Sequence, residues 1–404
     1  MIRAVKVIGL MSGASADGVD AALVEWPDSP EFRPFRLLGY RETPYPRALQ
    51  ERIHRAAAGR VPGPETLAEL ACLDVLLGER FASAAADVAA SAGVGLGAVD
   101  AIASHGQTLA HFPERRATLQ IGDPSVIAER TGCTTVADFR ARDVAAGGEG
   151  APLAPFFHHA ALGHPEEGRL VLNLGGIANI TWIRRAATPE EVVAFDVGPA
   201  NSLIDGVVAT LSGGAERMDR DGLRARRGAV AEDLLARLLD DEFLRRPPPK
   251  STGRERYGIA EAERLVEEWA RSGRSPDDLI ATLVAFSAET VSLAAGAFLD
   301  GSPIDRVLVG GGGARNPVLM GALADRFAGI PVEPFDRAGV PAEAAEAMAF
   351  SLMGRNALLG IPNSLPRCTG AREGAVLGEI APGGPGVRIQ AGDRIASAPA
   401  RALG

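Results

Sequence analysis

The sequence predicts an α/β protein built as two related domains, each opening on a β-hairpin whose turn is made of small residues. Three observations predict it. "VIGLMSGASADGVDAALVEW", residues 7–26, sets two apolar runs around a turn that holds Gly13, Ser15, Asp17 and Gly18. "RLVLNLGGIANITWI", residues 169–183, repeats that plan about one domain length later, which points to an internal duplication with little sequence identity. "PIDRVLVGGGGARNPVLMGALADRF" is a buried strand, four glycines, and a helix opened by Asn316 and Pro317.

Taken in order, residues 5–11 and 19–24 are the strands of the first hairpin. Residues 65–92, Ala/Leu-rich and broken only by small residues, predict a long helix. A strand at 99–104 ends in His105, Gly106, Gln107 and Thr108, and short strands follow at 119–122 and 134–137. The Gly/Pro-rich stretch "AAGGEGAPLAP", 145–155, is the candidate hinge, and a helix follows at 156–162. After the second hairpin come "VVAFDVGPANSLID", further helical stretches, the glycine turn, and a final helix at 343–359. The expected domains are 1–150 with 343–404, carrying the first hairpin and the C-terminal helix, and 151–342, carrying the second hairpin and the glycine turn.

Composition narrows the function. The 404 residues are 46% hydrophobic and 23% charged, an ordinary balance that supports two real cores. A net charge of −9 argues against non-specific nucleic-acid binding. Cys72, Cys133 and Cys368 are far apart and odd in number, so neither a metal spacing nor a disulfide framework is expected, and a reduced, cytoplasmic setting fits. No run reaches the ~18 apolar residues of a membrane span, and the first apolar strand is broken at once by Ser12 and Gly13, unlike a signal peptide. Lys6 and Lys250 are the only lysines, a base-composition bias rather than chemistry.

The first turn is glycine-rich but lacks the Gly-Lys-Ser/Thr of a P-loop. Ser12, Ser15 and Asp17 can meet phosphate oxygens or metal-bound water. A carboxylate would repel phosphate, so Asp17 is read toward Mg²⁺, or else as a residue capping the bend before Gly18. A strand ending in glycines and feeding a helix, as at Gly311, Gly312, Gly313 and Asn316, lets backbone N–H groups approach a nucleotide. Alone that signal is weak, since such turns often serve packing. Two hairpins plus such a turn, in this order, are the parts with which sugar kinases, actin and the 70-kDa chaperones clamp a nucleotide between two domains. Asp196, read as lying at a strand end before Gly198 and Pro199, suits a general base, or else an Asx-type turn. His105, Gln107, Thr108, Arg140, Arg142 and Gly148 fall in polar, glycine-rich segments suited to a sugar with hydroxyls, an amide and a carboxylate. In an extended segment Arg140 and Arg142 would face the same side.

These stretches resemble one family. "GLMSGASADGVDAAL", "SHGQTLAHFP", "QIGDPSVIAERTGCTTVADFRARDVAAGGEGAPLAP", "LNLGGIANIT", "FDVGPANSLID", "KSTGRERYG", "VGGGGARN", "EAMAF" and "TGA" resemble the anhydro-N-acetylmuramic acid kinases, in family order and over residues 9–382. The resemblance implies the two-domain actin-like ATPase fold, ribonuclease H-like, with a nucleotide cleft between domains. It implies hydrolytic opening of a 1,6-anhydro ring with phosphorylation of the freed O6 by ATP. Asp196 resembles the family's base, and Glu346 an acid near the metal or sugar. Gly13, Ala14, Ser15, Ala16, Asp17, Gly18, Val19 and Asp20 resemble its ATP segment. Gly175, Gly176 and Asn179 of the second hairpin and the glycine turn with Asn316 complete the expected ATP contacts. Asp17 and Glu346 are the expected Mg²⁺ ligands. Ala14 stands where the family usually has Thr, Ala16 where it has a larger apolar residue, Ala200 where it has Gly, and Glu149 where it has Gln. The expected partners are ATP, a small sugar and a second copy of the chain, with no nucleic acid and no membrane. Two other readings compete: a kinase for another anhydrosugar such as levoglucosan, which would not need the arginines, and a non-catalytic nucleotide-dependent sugar sensor, which would be expected to have lost Asp196.

Overall fold

A computed structural model describes residues 4–13, 15–29, 31–61, 63–299 and 301–384. The chain divides into two compact units. One runs to Ala160 and resumes at Ala344; the other spans Ala161–Glu343. The change-over falls inside the helix Ala154–Leu162, so the 145–155 stretch lies within the first unit rather than at the join.

The strands, in chain order, are β1 Ala4–Ser12, β2 Gly18–Pro27, β3 Arg36–Pro44, β4 Ala101–Phe112, β5 Ala117–Ile121 and β6 Thr135–Ala137; β7 Arg169–Leu174, β8 Ile177–Ile183, β9 Val193–Pro199, β10 Arg306–Gly310 and β11 Val332–Pro334; and β12 Glu379–Ala381. The first sheet runs β12-β6-β4-β1-β2-β3, with β5 hairpinned onto β4, and the second runs β11-β10-β7-β8-β9. In each, two hairpin joins make an antiparallel meander, β1-β2-β3 and β7-β8-β9. In each, the first strand of the meander then pairs in parallel with a later strand, β4 or β10, and that strand with another, β6 or β11. The same order and directions twice over give the duplicated architecture of the actin-like, ribonuclease H-like ATPases.

β1 is buried along most of its length on both faces, as a central strand with covered faces must be. Ile8 and Leu10 join the core that includes Leu73, Leu77 and Phe81 of the helix Glu65–Ser91. On the other face the helix Ala345–Leu359 lies almost on the strand. A Cβ on Gly9 would sit 1.8 Å from the Ala347 carbonyl oxygen, and one on Gly354 would sit 2.4 Å from the Ala103 Cβ. These two glycines set the height of the helix that carries Glu346. Its buried Arg355 donates to the carbonyls of Pro27, Ser29 and Glu31 and so pins the chain leaving β2.

Two elements depart from the sequence reading. β4 continues to Phe112, so His105–Thr108 is strand, held by β1 on one side and β5 on the other. β3 was not legible, because as an edge strand it has no fully buried residue. The second unit packs around the helix Pro276–Phe298, capped by Ser275. That helix is long and apolar enough to cross a membrane, which the count of apolar runs had not anticipated; Ser, Thr and Gly interrupt its run, and most of its surface is buried as core.

Candidate active site

In the first unit the β1–β2 turn is braced from β4. Ser12 Oγ lies 2.8 Å from the Gly18 carbonyl and 2.7 Å from Gln107 Oε1, while Gln107 Nε2 donates to the Gly13 carbonyl at 3.1 Å. Both ends of the buried Gln107 amide are thus spent on the turn. Ala16 N donates back to Gly13 O, and Ala16 takes φ 51° with its methyl in the core. Asp17 is exposed; its Oδ1 accepts from Gln50 Nε2 at 2.9 Å, which also reaches Ser15 O. Ala14 lies outside the described residues. Val19 is core, and Asp20 Oδ1 accepts from the Tyr40 hydroxyl at 2.8 Å. Burial holds the Asp20 carboxyl above its usual range, with Glu42 and Asp17 adding to the effect and the Tyr40 bond opposing it.

Glu346 stands in the first turn of its helix, open to solvent yet walled by protein. That crowding raises its pKa; Asp20 adds to the rise and Arg140 opposes it. Two carboxylates and a guanidinium therefore share one field. Arg140 is fixed from behind. Its Nε donates to His105 Nε2 at 3.0 Å and its Nη1 to the Gly150 carbonyl at 2.7 Å; Nη2 makes no hydrogen bond among the described residues. His105 Nδ1 lies 2.9 Å from the Gly106 carbonyl, which can only accept, so Nδ1 carries the proton and Nε2 is the acceptor. Burial, reinforced by Arg140, drives the His105 pKa down to about 3; the ring is a neutral strut. Burial also lowers Arg140, to about 10, and leaves it charged at neutral pH.

The expectation that Arg140 and Arg142 face one side is corrected. Phe139–Ala145 is a helix, which turns residues two apart by about 200°, and Arg142 is exposed on its far side. Asp143, fully buried, receives Gly150 N at 2.8 Å and Thr369 Oγ1 at 2.8 Å. A Cβ on Gly148 would fall 2.2 Å from Asp143 Oδ2, so that glycine is required for loop closure. Thr108 Oγ1 accepts from Gln120 Nε2.

In the second unit a polar row crosses the sheet. Gly310 pairs with Asn173, Asn173 with Asn179, and Asn179 with Asp196, so three polar side chains stand on one face of adjacent strands. Asp196 lies within β9, three residues before its end, rather than at the strand end. Its N–H donates to the Lys250 carbonyl at 3.2 Å, and its Oδ2 accepts from Thr252 N at 3.0 Å. Oδ1 accepts no hydrogen bond among the described residues. Burial pushes its pKa up to about 6, with Glu255 adding and the Thr252 N–H and Lys250 opposing.

The Gly175–Gly176 turn is stapled to the helix Asn201–Leu211. Asn201 Nδ2 donates to Leu174 O and Gly175 O at 2.9 and 2.7 Å, and the N–H groups of Ala200 and Ser202 bond Gly176 O. The guanidinium of Arg254 lies over this turn, its Nε 3.7 Å from where a Gly176 Cβ would be. At the third turn Gly311 has φ 79°, and a Cβ there would meet Asn173 Oδ1 at 2.5 Å; on Gly313 it would meet Leu174 Cβ at 2.6 Å. A Cβ on Gly312 would meet Asn201 Nδ2 at 3.9 Å, an ordinary contact. Asn316 is the N-cap of the helix Pro317–Arg326: its Oδ1 accepts from Val318 N and Leu319 N. Its carbonyl oxygen is therefore committed to the helix.

Sequence reading missed Asn173, Asn201, the influence of Asp20 on Glu346, and the segment that cradles Asp196. The signal for the last was the string "KSTGRERYG", which holds Lys250 and Thr252.

The family model for anhydro-N-acetylmuramic acid kinase matches residues 5–383. A Xanthomonas campestris protein named anhydro-N-acetylmuramic acid kinase is 45% identical over 380 residues, covering 93% of this chain and 97% of that protein. A Streptomyces coelicolor protein of the same name is 43% identical and covers 95% of each chain; one from Salinibacter ruber is 41% identical over 94% of this chain and 96% of that one. With the duplicated ATPase architecture, the cradled Asp196 and a match that spans both units, this chain belongs to the anhydro-N-acetylmuramic acid kinase family.

Proposed function

We propose that this kinase opens the 1,6-anhydro ring of 1,6-anhydro-N-acetylmuramic acid with water and phosphorylates O6 from ATP. The products are N-acetylmuramic acid 6-phosphate and ADP, a step of peptidoglycan recycling. The observation that carries the mechanism is Asp196, a half-buried carboxylate with one oxygen held by Thr252 N and the other open. Water attacks C1 and gives its proton to Asp196 Oδ1; the C1–O6 bond breaks as O6 takes the γ-phosphoryl group. A base with a pKa near 6 is ionised at neutral pH yet basic enough to assist.

The proposed ATP contacts are the backbone and small side chains from Gly13 to Asp20, the Gly175–Gly176 turn beside Asn179, and Gly311–Gly313; Asn316 serves by capping the helix behind the last of these. Arg140 is the proposed partner of the lactyl carboxylate through its open Nη2, with His105 orienting it and Gly148 shaping its loop. Gln107 and Thr108 brace the neighbouring strands.

Among the described residues no three acidic, His or Cys side chains gather as a metal cage. Mg²⁺ keeps waters and takes one or two carboxylates plus phosphate oxygens. The proposed carboxylate ligands are Asp17 and Glu346; Asp20 adds to the rise in the Glu346 pKa. When bound, the ion offsets phosphate charge. The setting proposed is the cytoplasm, and the assembly a homodimer.

The test is coupled ADP release with 1,6-anhydro-N-acetylmuramic acid beside levoglucosan, with the product identified by mass and phosphate position. Turnover of the muramic sugar to the 6-phosphate is expected. Preference for levoglucosan would overturn the substrate assignment, and nucleotide binding without turnover of either sugar would favour a sensor.

A further inference from the structure

One of two lysines in an arginine-rich chain is buried where the general base is held. Lys250 Nζ donates to the carbonyls of Phe243 and Leu244, each at 3.1 Å. Three rings surround it, with centroids at 4.5 Å for Phe298, 4.9 Å for Phe243 and 5.8 Å for Phe195. Phe195 precedes Asp196 on β9. The Lys250 carbonyl accepts from Asp196 N, and two residues on Thr252 N donates to Asp196 Oδ2. The ammonium therefore fastens, at one end, the short length of main chain that holds both the backbone and the carboxylate of Asp196.

We propose that Lys250 is a positioning residue for Asp196, acting through the Lys250–Thr252 main chain without touching substrate. This rests on the reading of Asp196 as general base. An ammonium suits the place because it is compact and carries three donors, of which two reach carbonyls while the rings favour its charge. A guanidinium is planar and larger and would crowd the three rings. The packing reading, in which Lys250 only fills a core gap, does not account for main-chain groups of both Lys250 and Thr252 meeting Asp196.

Losing the ammonium removes two influences that hold the Asp196 pKa down, the Thr252 N–H bond and the nearby positive charge. The other charged groups that act here are Glu255 on Asp196, and Arg246 and Asp241 on Lys250. The pKa of the base then rises. Since the base works ionised, activity falls at a higher pH than in the wild type.

The experiment measures kcat/KM against pH for wild type, Lys250→Met, Lys250→Arg, Thr252→Pro and Asp196→Asn, with melting curves for each. Lys250→Met is expected to lower kcat on the order of 10- to 100-fold, the worth of a hydrogen bond to a charged group. It should move the acid limb to higher pH and leave the KM for ATP within about twofold. Thr252→Pro, which deletes the donor without entering the lysine cage, should reproduce the shift, and Lys250→Arg should recover it only in part. If the acid limb stays in place and activity tracks the folded fraction, the proposal is overturned. Should Lys250→Met not fold, Thr252→Pro decides alone: a shifted limb supports the proposal and an unmoved limb sinks it. Retained activity in Asp196→Asn would instead overturn the general-base reading.

Discussion

Asp196 is where burial, strand register and chemistry meet, and the effects of changing it separate cleanly. Asp196→Asn keeps an acceptor for Thr252 N and the size of the side chain, so it should fold. It should lose about 10²–10⁴-fold in kcat, the usual worth of a general base, with nucleotide affinity kept; near-full turnover would assign the base elsewhere. In the wild type kcat/KM should fall as pH drops through about 6, because the base must be ionised. The stability effect has the opposite sense. The fold favours the protonated carboxyl, so this contribution is full below the ordinary carboxylate range and is lost as pH rises through about 6. Moving an Asp carboxyl to about 6 is worth about 3 kcal/mol as an upper figure. Asp196→Asn should therefore melt higher than wild type at pH 8, with the gap closing below pH 5. An unchanged gap across that range would show that the carboxyl is not held above its ordinary value. Arg140 makes a second case at this scale. With Nε and Nη1 committed to His105 and Gly150, Arg140→Ala should raise KM for the muramic sugar far more than for one lacking the lactyl group. Arg142→Ala, on the far side of the helix, should leave both unchanged. Equal losses on both sugars for Arg140→Ala, or a fall in melting temperature that accounts for them, would mark it as a loop brace.

At the scale of elements, the glycine turn tests whether a motif is chemical or mechanical. Gly311→Ala puts a methyl into Asn173 and the Leu174 backbone at φ 79°. It should weaken ATP binding and lower the melting temperature together. Gly312 has room for a methyl within the protein, so Gly312→Ala should weaken ATP binding at nearly unchanged stability. Asn316→Ala should cost about 1 kcal/mol, the worth of an N-cap, with the KM for ATP unmoved; a selective rise in that KM would make Asn316 a nucleotide contact. The hairpins, the long helix Glu65–Ser91 and the glycine turn were legible because each carries its own local signal: apolar runs, small residues, a cap. β3 was not, since an edge strand buries little. The Arg140 helix was not, because seven residues carry too little periodicity to be told from an extended run. The site was legible as single residues and not as partners. Asp196 stood out beside Gly198 and Pro199, but its cradle comes from Thr252, 56 positions away. Asn173 acquires meaning only once register sets it across from Asn179. Such pairings are fixed by tertiary packing, which one sequence does not display.

For the molecule as a whole, the duplicated topology has a thermodynamic consequence. Each unit closes its own sheet around its own core. One cluster gathers Ile8, Leu10, Leu23, Leu77 and Phe81; another gathers Leu170, Leu172, Trp182, Phe195 and Phe286. A chain with two such cores is not expected to unfold in one step. Calorimetry should give a measured enthalpy larger than the van't Hoff value, resolved as two overlapping transitions. Leu10→Ala and Leu172→Ala assign them. Both side chains are fully buried, and each truncation should cost about 2–5 kcal/mol, moving one transition and leaving the other nearly in place. ATP should shift the transitions upward by mass action, by about 2.7 kcal/mol at a hundred times its dissociation constant, and Gly312→Ala should blunt that shift. A single transition lowered equally by Leu10→Ala and Leu172→Ala would mean that the two cores fold as one cooperative body.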